Sequence, residues 1–442
     1  MKLEKLLAPS PTVNFADVAH STLIFEREKK DSSLVLELID TKWVQRLRRI
    51  RQTGNTHLVY MFAEHSRFGH SLGVAHLAVL LMNKLEQYEP EMVDKYREAV
   101  AAAALLHDIG HVAPGSHLAA HVWSPESDDQ HEQISTKIIK EDEEINAILK
   151  KRGEDLPDLV VKILLEDPSL PSWTHAIISG GGWNADRGNW TIVDSTMCSV
   201  SYGRYNVSAL IDAFRLTPDG QLILQENRLD ALAHFFVARD SMYRQVYRHR
   251  VLQTADALNE KIVLRLRDIL KEKGQDEFSK LNIKLDEVML NVVKSDNYAE
   301  ELSLNEIFQM SEDWWNYHLN HWCSSSDRIL KDLATRLRDR KLLKTIRLVS
   351  PTKRDTEAFI SNIESVSKDL EFPPRYYVIP IGISDNHRKN EEKAPLVLRD
   401  DGSLAEVSTI EPIIASLYEE AKRKRQWLAV PKEVKAKLGT YR

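Results

Sequence analysis

The eight residues Ala99-Val-Ala-Ala-Ala-Ala-Leu-Leu106 are apolar on every side, and His107-Asp108-Ile109-Gly110-His111 follows at once. A helix that is apolar all round has no face to give to water and is buried. The chain therefore sets two histidines and an aspartate at the end of a core helix, with Gly110 as the natural breaker. Burying polar groups without partners costs roughly 2–7 kcal/mol each, and more for a charge. A His beside an Asp on a buried helix can be a self-satisfied core pair. Another histidine directly after the glycine favours a metal ion or a reaction site instead.

The histidines are focused there. Of 16 in the chain, His65, His70, His76, His107, His111, His117, His121 and His131 fall within 67 residues. His107 offers a neutral imidazole nitrogen and Asp108 an anionic oxygen. His70, from another helix, and Asp186, from the glycine-rich loop that contains Gly180-Gly181-Gly182, would complete a mixed nitrogen and oxygen set. Such a set suits Mn, Mg, Fe or Zn with coordination positions left open, a site that activates water and polarises a phosphoryl oxygen.

A length of 442 residues corresponds to about three domains, or to one large core with appendages. A net charge of -6 with 29% charged and 43% hydrophobic residues argues against disorder and against binding driven by the nucleic-acid backbone. Two cysteines, Cys198 and Cys323, make neither a disulfide framework nor a thiolate zinc site. The start lacks a signal-peptide core, and no apolar run approaches the roughly 20 residues of a membrane span, so the chain reads as soluble and cytoplasmic. Apolar periodicity predicts helices over about 71–88, 91–107, 132–150, 158–166, 229–259 and 261–273. Thr22–Phe25 with Leu34–Ile39 reads as a strand pair or as a strand before a helix. Val207–Leu224 reads as a hairpin around Pro218-Asp219-Gly220, and Arg375–Ile383 with Pro395–Leu398 as strands. The expectation is a mainly α fold: an N-terminal strand-containing segment (1–39), a helical core (40–260) and a helical and α+β C-terminal region (261–442).

Further motifs sharpen the reading. Asp40-Thr41-Lys-Trp-Val-Gln45-Arg46-Leu47-Arg48-Arg49-Ile50-Arg51-Gln52 is followed by Arg67-Phe68-Gly69-His70-Ser-Leu-Gly-Val. His131-Glu132, Ser201-Tyr-Gly-Arg-Tyr205 and Ala238-Arg239-Asp-Ser-Met-Tyr243-Arg-Gln-Val-Tyr247 come later. Together with His107-Asp108 and Asp186, over nearly the whole chain, these resemble the deoxynucleoside triphosphate triphosphohydrolase branch of the HD metal-dependent phosphohydrolase superfamily. The resemblance implies a helical HD core and a divalent metal held by His70, His107, Asp108 and Asp186. It makes His111, His117, His131 and Glu132 the acid–base and supporting groups. Arg67, Arg187 and Arg239 would grip the triphosphate, Tyr243 and Tyr247 would line the sugar and α-phosphate, and Gln52 and Asp194 would bind the sugar hydroxyl. Asp40, Gln45 and Arg48 match residues that hold a nucleotide effector in activated members, which assemble as homo-oligomers (dimers or tetramers).

Residue by residue, plainer readings stand beside these. Arg48, Arg49 and Arg51 can form a solvated helix face, Tyr243 and Tyr247 a packed helical stripe, and Arg239 an ion pair. The chain also departs from the branch pattern. Asn189 and Trp190 stand where an acid and a tyrosine are usual, Thr53 follows Gln52 in place of a leucine, and Ala120 replaces an acid after His117. The leading expectation is hydrolysis of dNTPs to deoxynucleoside and inorganic triphosphate. The alternatives are an HD phosphohydrolase for another nucleotide or phosphate ester, and a degenerate nucleotide-binding sensor. Neither a membrane nor nucleic acid is expected as the main partner.

Overall fold

In the computed structural model, residues 10–115, 122–124, 130–348, 353–382, 396–421 and 426–439 are described. The described residues open with an antiparallel hairpin, β1 (Thr12–Asp17) and β2 (Ser21–Glu26). Helices α1 (Lys30–Leu38), α2 (Arg67–Leu85), α3 (Pro90–Leu106), α4 (His131–Glu141), α5 (Leu156–Leu164) and α6 (Ala185–Met197) follow. Strands β3 (Phe214–Leu216) and β4 (Leu222–Gln225) precede α7 (Leu229–Met242) and α8 (Arg250–Lys273). The fold is mainly α, with a helical core and small sheets.

The run at 99–106 does what its composition requires. It forms the second half of α3, and each side chain is at most 1% exposed. Pro90 at the first turn supplies a fixed φ where no intrahelical N–H bond is needed. α3 lies in the centre, packed against α1, α2 and α5, while α2 also receives α6. The polar residues that follow α3 are thereby delivered to the interior. Arg46 helps to hold them: it is 1% exposed and donates to the carbonyls of His111 (2.7 Å), Phe308 (2.9 Å), Ile307 (2.9 Å) and Met310 (3.1 Å). Burial, with Arg49 adding to it, lowers its pKa to about 9. The guanidinium satisfies four main-chain oxygens that have little access to water.

Beyond α8, helices continue to Arg338, and two small sheets form around late strands. β5 (Lys344–Arg347) and β6 (Ile379–Gly382) flank β9 (Gln426–Val430) in one sheet. β7 (Leu396–Leu398) and β8 (Leu404–Glu406) extend the β3–β4 hairpin, with β7 parallel to β4. One continuous apolar core contains Leu23, α1–α3 and Ala429 alike. α8 runs unbroken past residue 260, and its Arg265 pairs with Asp327 at 2.6 Å.

Several local expectations change. Of the two readings for Thr22–Phe25 and Leu34–Ile39, the strand before a helix is the one observed: β2 pairs with β1, and Leu34–Ile39 lies in and just after α1. The helix expected over 132–150 breaks at Asp142, whose extended backbone lets its carboxylate cap Ile145 at 3.1 Å. The helix expected over 229–259 is interrupted by a π-helical turn at Tyr243–Tyr247, and the helix expected at Lys261 is the continuation of α8. The stretch 375–378 starts in a helical turn, Pro374–Tyr377, before β6. Asp186 sits not in a loop but in the first turn of α6, capped by the Asn184 side chain, which accepts from Arg187 N at 2.7 Å. No described helix is long and apolar enough to cross a membrane.

Burial also sets a pH dependence. His76 on α2 is 7% exposed and rests edge-on against Phe25 of β2 at 5.8 Å. Burial, helped by the nearby His20, lowers its pKa to about 4. A histidine that stays neutral when folded and titrates normally when unfolded stabilises fully above pH 6.5, and this contribution is lost as pH falls toward 4. Urea unfolding should show a loss of about 2 kcal/mol between pH 7 and pH 5 from this group. In His76→Phe that part of the slope should disappear; an unchanged slope would remove His76 as its source.

Candidate metal centre

Four elements converge beyond the end of α3. His70 comes from the first turn of α2, His107 and Asp108 from the end of α3, His131 from the start of α4 and Asp186 from the first turn of α6. His70 Nε2 lies 3.0 Å from Asp186 Oδ1 and 3.6 Å from Asp108 Oδ2. His107 Nε2 lies 3.4 Å from Asp108 Oδ1 and 3.8 Å from Asp186 Oδ1. Ligand atoms of His70, His107 and Asp186 fall within 4.8 Å of one another, as do those of Asp108, His111 and His131. The first of these groups, with Asp108 beside it, contains all four residues expected from the sequence.

The other nitrogen of each imidazole is already engaged. His107 Nδ1–H donates to Ala104 O at 2.9 Å, and His70 Nδ1–H to Asn189 Oδ1 at 2.9 Å. Both rings therefore turn Nε2 toward the carboxylates, the arrangement that outer partners impose on metal-bound histidines. His107 Nε2 is buried and, among the described residues, accepts no hydrogen bond. An orphaned nitrogen amid two carboxylates and a second imidazole fits a divalent cation. Apart from an ion, only a proton could reconcile these groups.

Asp108 is 4% exposed, and Arg67 Nη1 donates to its Oδ2 at 2.5 Å. Burial would raise its pKa, but Arg67, His107 and His111 outweigh that and hold it well below the usual carboxylate range. His111 Nε2 reaches Asp108 Oδ1 at 3.2 Å and stacks on His131 with centroids 4.1 Å apart. Burial first, then Arg67 and His131, drive His111 down to about 3, so it is neutral at pH 7. This stack depends on Gly110, where a Cβ would lie 2.2 Å from His131 O and 2.6 Å from Ser135 N. Ser135 Oγ bonds both Gly110 N (3.0 Å) and His107 O (2.9 Å), locking α4 to the turn.

A second locus lies two turns along α6. From Asp186 to Asp194 the axial rise is about 12 Å. Asp194, 1% exposed, contacts His65 Nε2 at 2.7 Å and accepts from Tyr247 OH. Trp190, Tyr243 and Tyr247 form an edge-to-face trio with centroids 5.4–5.7 Å apart. Arg239 stands over the Tyr243 ring at 5.1 Å. Gln52 is 2% exposed; its main-chain N–H donates to His65 O at 3.0 Å, and among the described residues its side-chain Oε1 has no partner.

Other expected residues fall elsewhere. Arg187 Nη1 donates to Gly180 O (3.0 Å) and Gly182 O (3.3 Å), bracing the glycine-rich turn. Glu132 is exposed on the first turn of α4, and among the described residues no ion pair ties it to Asp108 or the histidines. Asp40 and Arg48 are exposed; Gln45 donates to Ile39 O at 2.8 Å, and Arg48 donates to Gln45 Oε1 at 2.9 Å while lying 3.5 Å above the Phe68 ring. His117 lies outside the described residues. His65, Asn189 and His20 carried no sequence role; only the histidine density around residue 65 hinted at the first of them.

Residues 67–169 match the family model described as HD domain, so the chain contains an HD domain, and its His/Asp cluster supports a metal-dependent phosphohydrolase. Similarity extends over 391 residues, at 29% identity, to YwfO of Bacillus subtilis, covering 87% of this chain and 85% of that one. Over 139 residues (29% of this chain, 22% of the relative) it is 36% identical to the deoxynucleoside triphosphate triphosphohydrolase SAMHD1 of Danio rerio. The fold matches a crystal structure of a phosphohydrolase from Bacteroides thetaiotaomicron at TM-score 0.76 and 21% identity, over 95% of this chain and 99% of that one. The chain is thus similar to HD-domain proteins and, over part of its length, to dNTP triphosphohydrolases.

Gly110→Ala should lower stability by about 2 kcal/mol, since the methyl overlaps main chain that cannot rotate away. It should also reduce metal uptake, measured by elemental analysis, by separating α4 from the turn. A variant with native stability and native metal content would show that the close approach is unimportant.

Proposed function

We propose that the chain hydrolyses dNTPs to deoxynucleoside and inorganic triphosphate, with His70, His107, Asp108 and Asp186 holding a divalent cation. The observation that carries this is the pair of imidazoles, His70 buried and His107 half-buried, whose Nε2 atoms face Asp186 and Asp108 while both Nδ1 atoms are tied down. When bound, the cation supplies a Lewis acid for a phosphoryl oxygen. Arg67 keeps Nε and Nη2 buried without partners among the described residues while Nη1 holds Asp108, so it has donors left for a phosphate. Arg239 and Arg187 are the further phosphate candidates; Arg187 would have to leave its glycine carbonyls. His111, His117 and His131 are the candidate acid–base groups around the departing 5′-oxygen, with Glu132 in support. At the far end of α6, Asp194 and the unpartnered Oε1 of Gln52 would accept a sugar hydroxyl, against Tyr243 and Tyr247.

A second reading, action on ribonucleotides or other phosphate esters, draws support from Thr53. Its hydroxyl is buried with no partner among the described residues, where it could hydrogen-bond a 2′-hydroxyl. A nucleotide effector and a homo-oligomer also belong to this proposal. Asp40, Gln45 and Arg48 are the candidate base-side contacts. A cleft of about 300 Å³ lined by Arg250, Arg340, Lys344 and Lys435 offers positive charge for a polyphosphate.

Purified protein with Mn²⁺ or Mg²⁺ should release inorganic triphosphate from dNTPs, alone or with GTP or dGTP as activator, as resolved by chromatography. Monophosphate or diphosphate products, or faster turnover of NTPs, would support the second reading; no turnover in any mixture would leave a nucleotide-binding sensor. His70→Ala and Asp108→Ala should lose metal and at least 10²-fold in rate together. Full activity in either variant would overturn the metal assignment.

A further inference from the structure

The β1–β2 hairpin reaches the metal centre through one side chain. Asp17 Oδ1 accepts from Ala19 N (2.9 Å) and His20 N (2.6 Å), which shapes the turn, and Phe25 against His76 ties β2 to α2. His20 then stands with Nε2 3.2 Å from Asn189 Nδ2, and Asn189 Oδ1 is 2.9 Å from His70 Nδ1. Asn189 is fully buried. α2 makes room for it at Gly73, where a Cβ would fall 2.0 Å from Asn189 Nδ2.

A primary amide donates only from nitrogen and accepts only at oxygen, so the direction of the chain of bonds is decided by its ends. For His70 to offer Nε2 to a cation, its proton must sit on Nδ1 and Asn189 must present Oδ1. The amide nitrogen then faces His20, whose Nε2 must be an unprotonated acceptor. Burial lowers the His20 pKa against the opposing pull of Asp17, which suits that acceptor role at neutral pH. The reversed amide would set N–H against N–H at His70 and move its proton to Nε2, where a cation would have to bind.

We propose that His20 and Asn189 are positioning residues that hold His70 in the tautomer and orientation able to bind a metal, so that the N-terminal hairpin forms part of the centre. This rests on the metal-ligand reading of His70. An acid at position 189 could accept from His70 but could not donate to His20. The asparagine is therefore matched to a histidine that accepts.

The test is Mn²⁺ affinity of the full chain, measured by competition with a fluorescent chelator and paired with long-range ¹⁵N NMR of the histidine rings. Asn189→Leu should weaken binding about 10–100-fold. His20→Ala should weaken it in the same direction, and His20→Gln, whose Oε1 can accept the same N–H, should restore most of the loss. Asn189→Asp should keep the metal but move a proton onto His20 Nε2, visible as a change of tautomer or charge. Thermal unfolding of each variant separates positioning from misfolding, because His20→Gln and His20→Ala remove the same ring packing. Equal affinity in wild type, His20→Ala and Asn189→Leu would overturn the relay while leaving the metal site intact. Equal affinity in wild type and His70→Ala would instead overturn the metal reading, and the relay with it.

Discussion

A buried carboxylate, Asp108, organises the molecule. Left alone at 4% exposure it would be protonated or would drag water inward. Instead Arg67 holds one oxygen at 2.5 Å, while His107 and His111 face the other at 3.4 and 3.2 Å. These contacts come from α2, the end of α3 and the turn after it, with His131 of α4 at 4.0 Å. The surrounding elements are placed so that this charge is compensated. Gly110 and Ser135 then bring α4 close enough for His131 to stack on His111. Removing Asp108 alone would leave Arg67 and the imidazoles facing one another without their anion.

Distant parts of the chain converge on the same place by hydrogen bonds rather than by apolar packing alone. Arg46 joins the turn at His111 to the carbonyls of 307, 308 and 310, so C-terminal helices brace the centre. Asn189 joins it to the N-terminal hairpin. α6 joins it to the Asp194–His65–Tyr247 group, carrying Asp186, Asn189, Trp190 and Asp194 within about two turns. Helical spacing turns one segment into a ruler between the metal end and the tyrosine end. The interruption at Tyr243–Tyr247 falls beside that second group, and π-helical turns frequently mark functional sites.

Legibility in the sequence followed the range of the interaction. The burial of α3 could be read from eight apolar residues, because no neighbour is needed to know that such a helix avoids water. His70, His107, Asp108 and Asp186 were legible as donor types, and the structure brings them together. The glycines at 180–182 suggest a loop that runs on through Asp186, whereas Asn184 caps a helix immediately after them. Asn189 looked like a departure from a family pattern; its purpose depends on His20, 169 residues away, which no local pattern reveals. Arg187 and Arg46 show the same limit. Both are arginines on helices, yet one braces its own glycine turn and the other spans to residue 310.

By itself, the sequence determined the class of chemistry and the depth at which it sits: imidazole and carboxylate donors at the end of a helix with no solvent face. Those follow from side-chain type and from the cost of burying polar groups, both local properties. The tertiary structure alone decided which nitrogen of each histidine is free, which arginines keep donors to spare, and which carboxylate oxygen meets which partner. Hydrogen-bond direction depends on angstrom-scale approach between segments far apart in the chain, and only the packed core sets those distances.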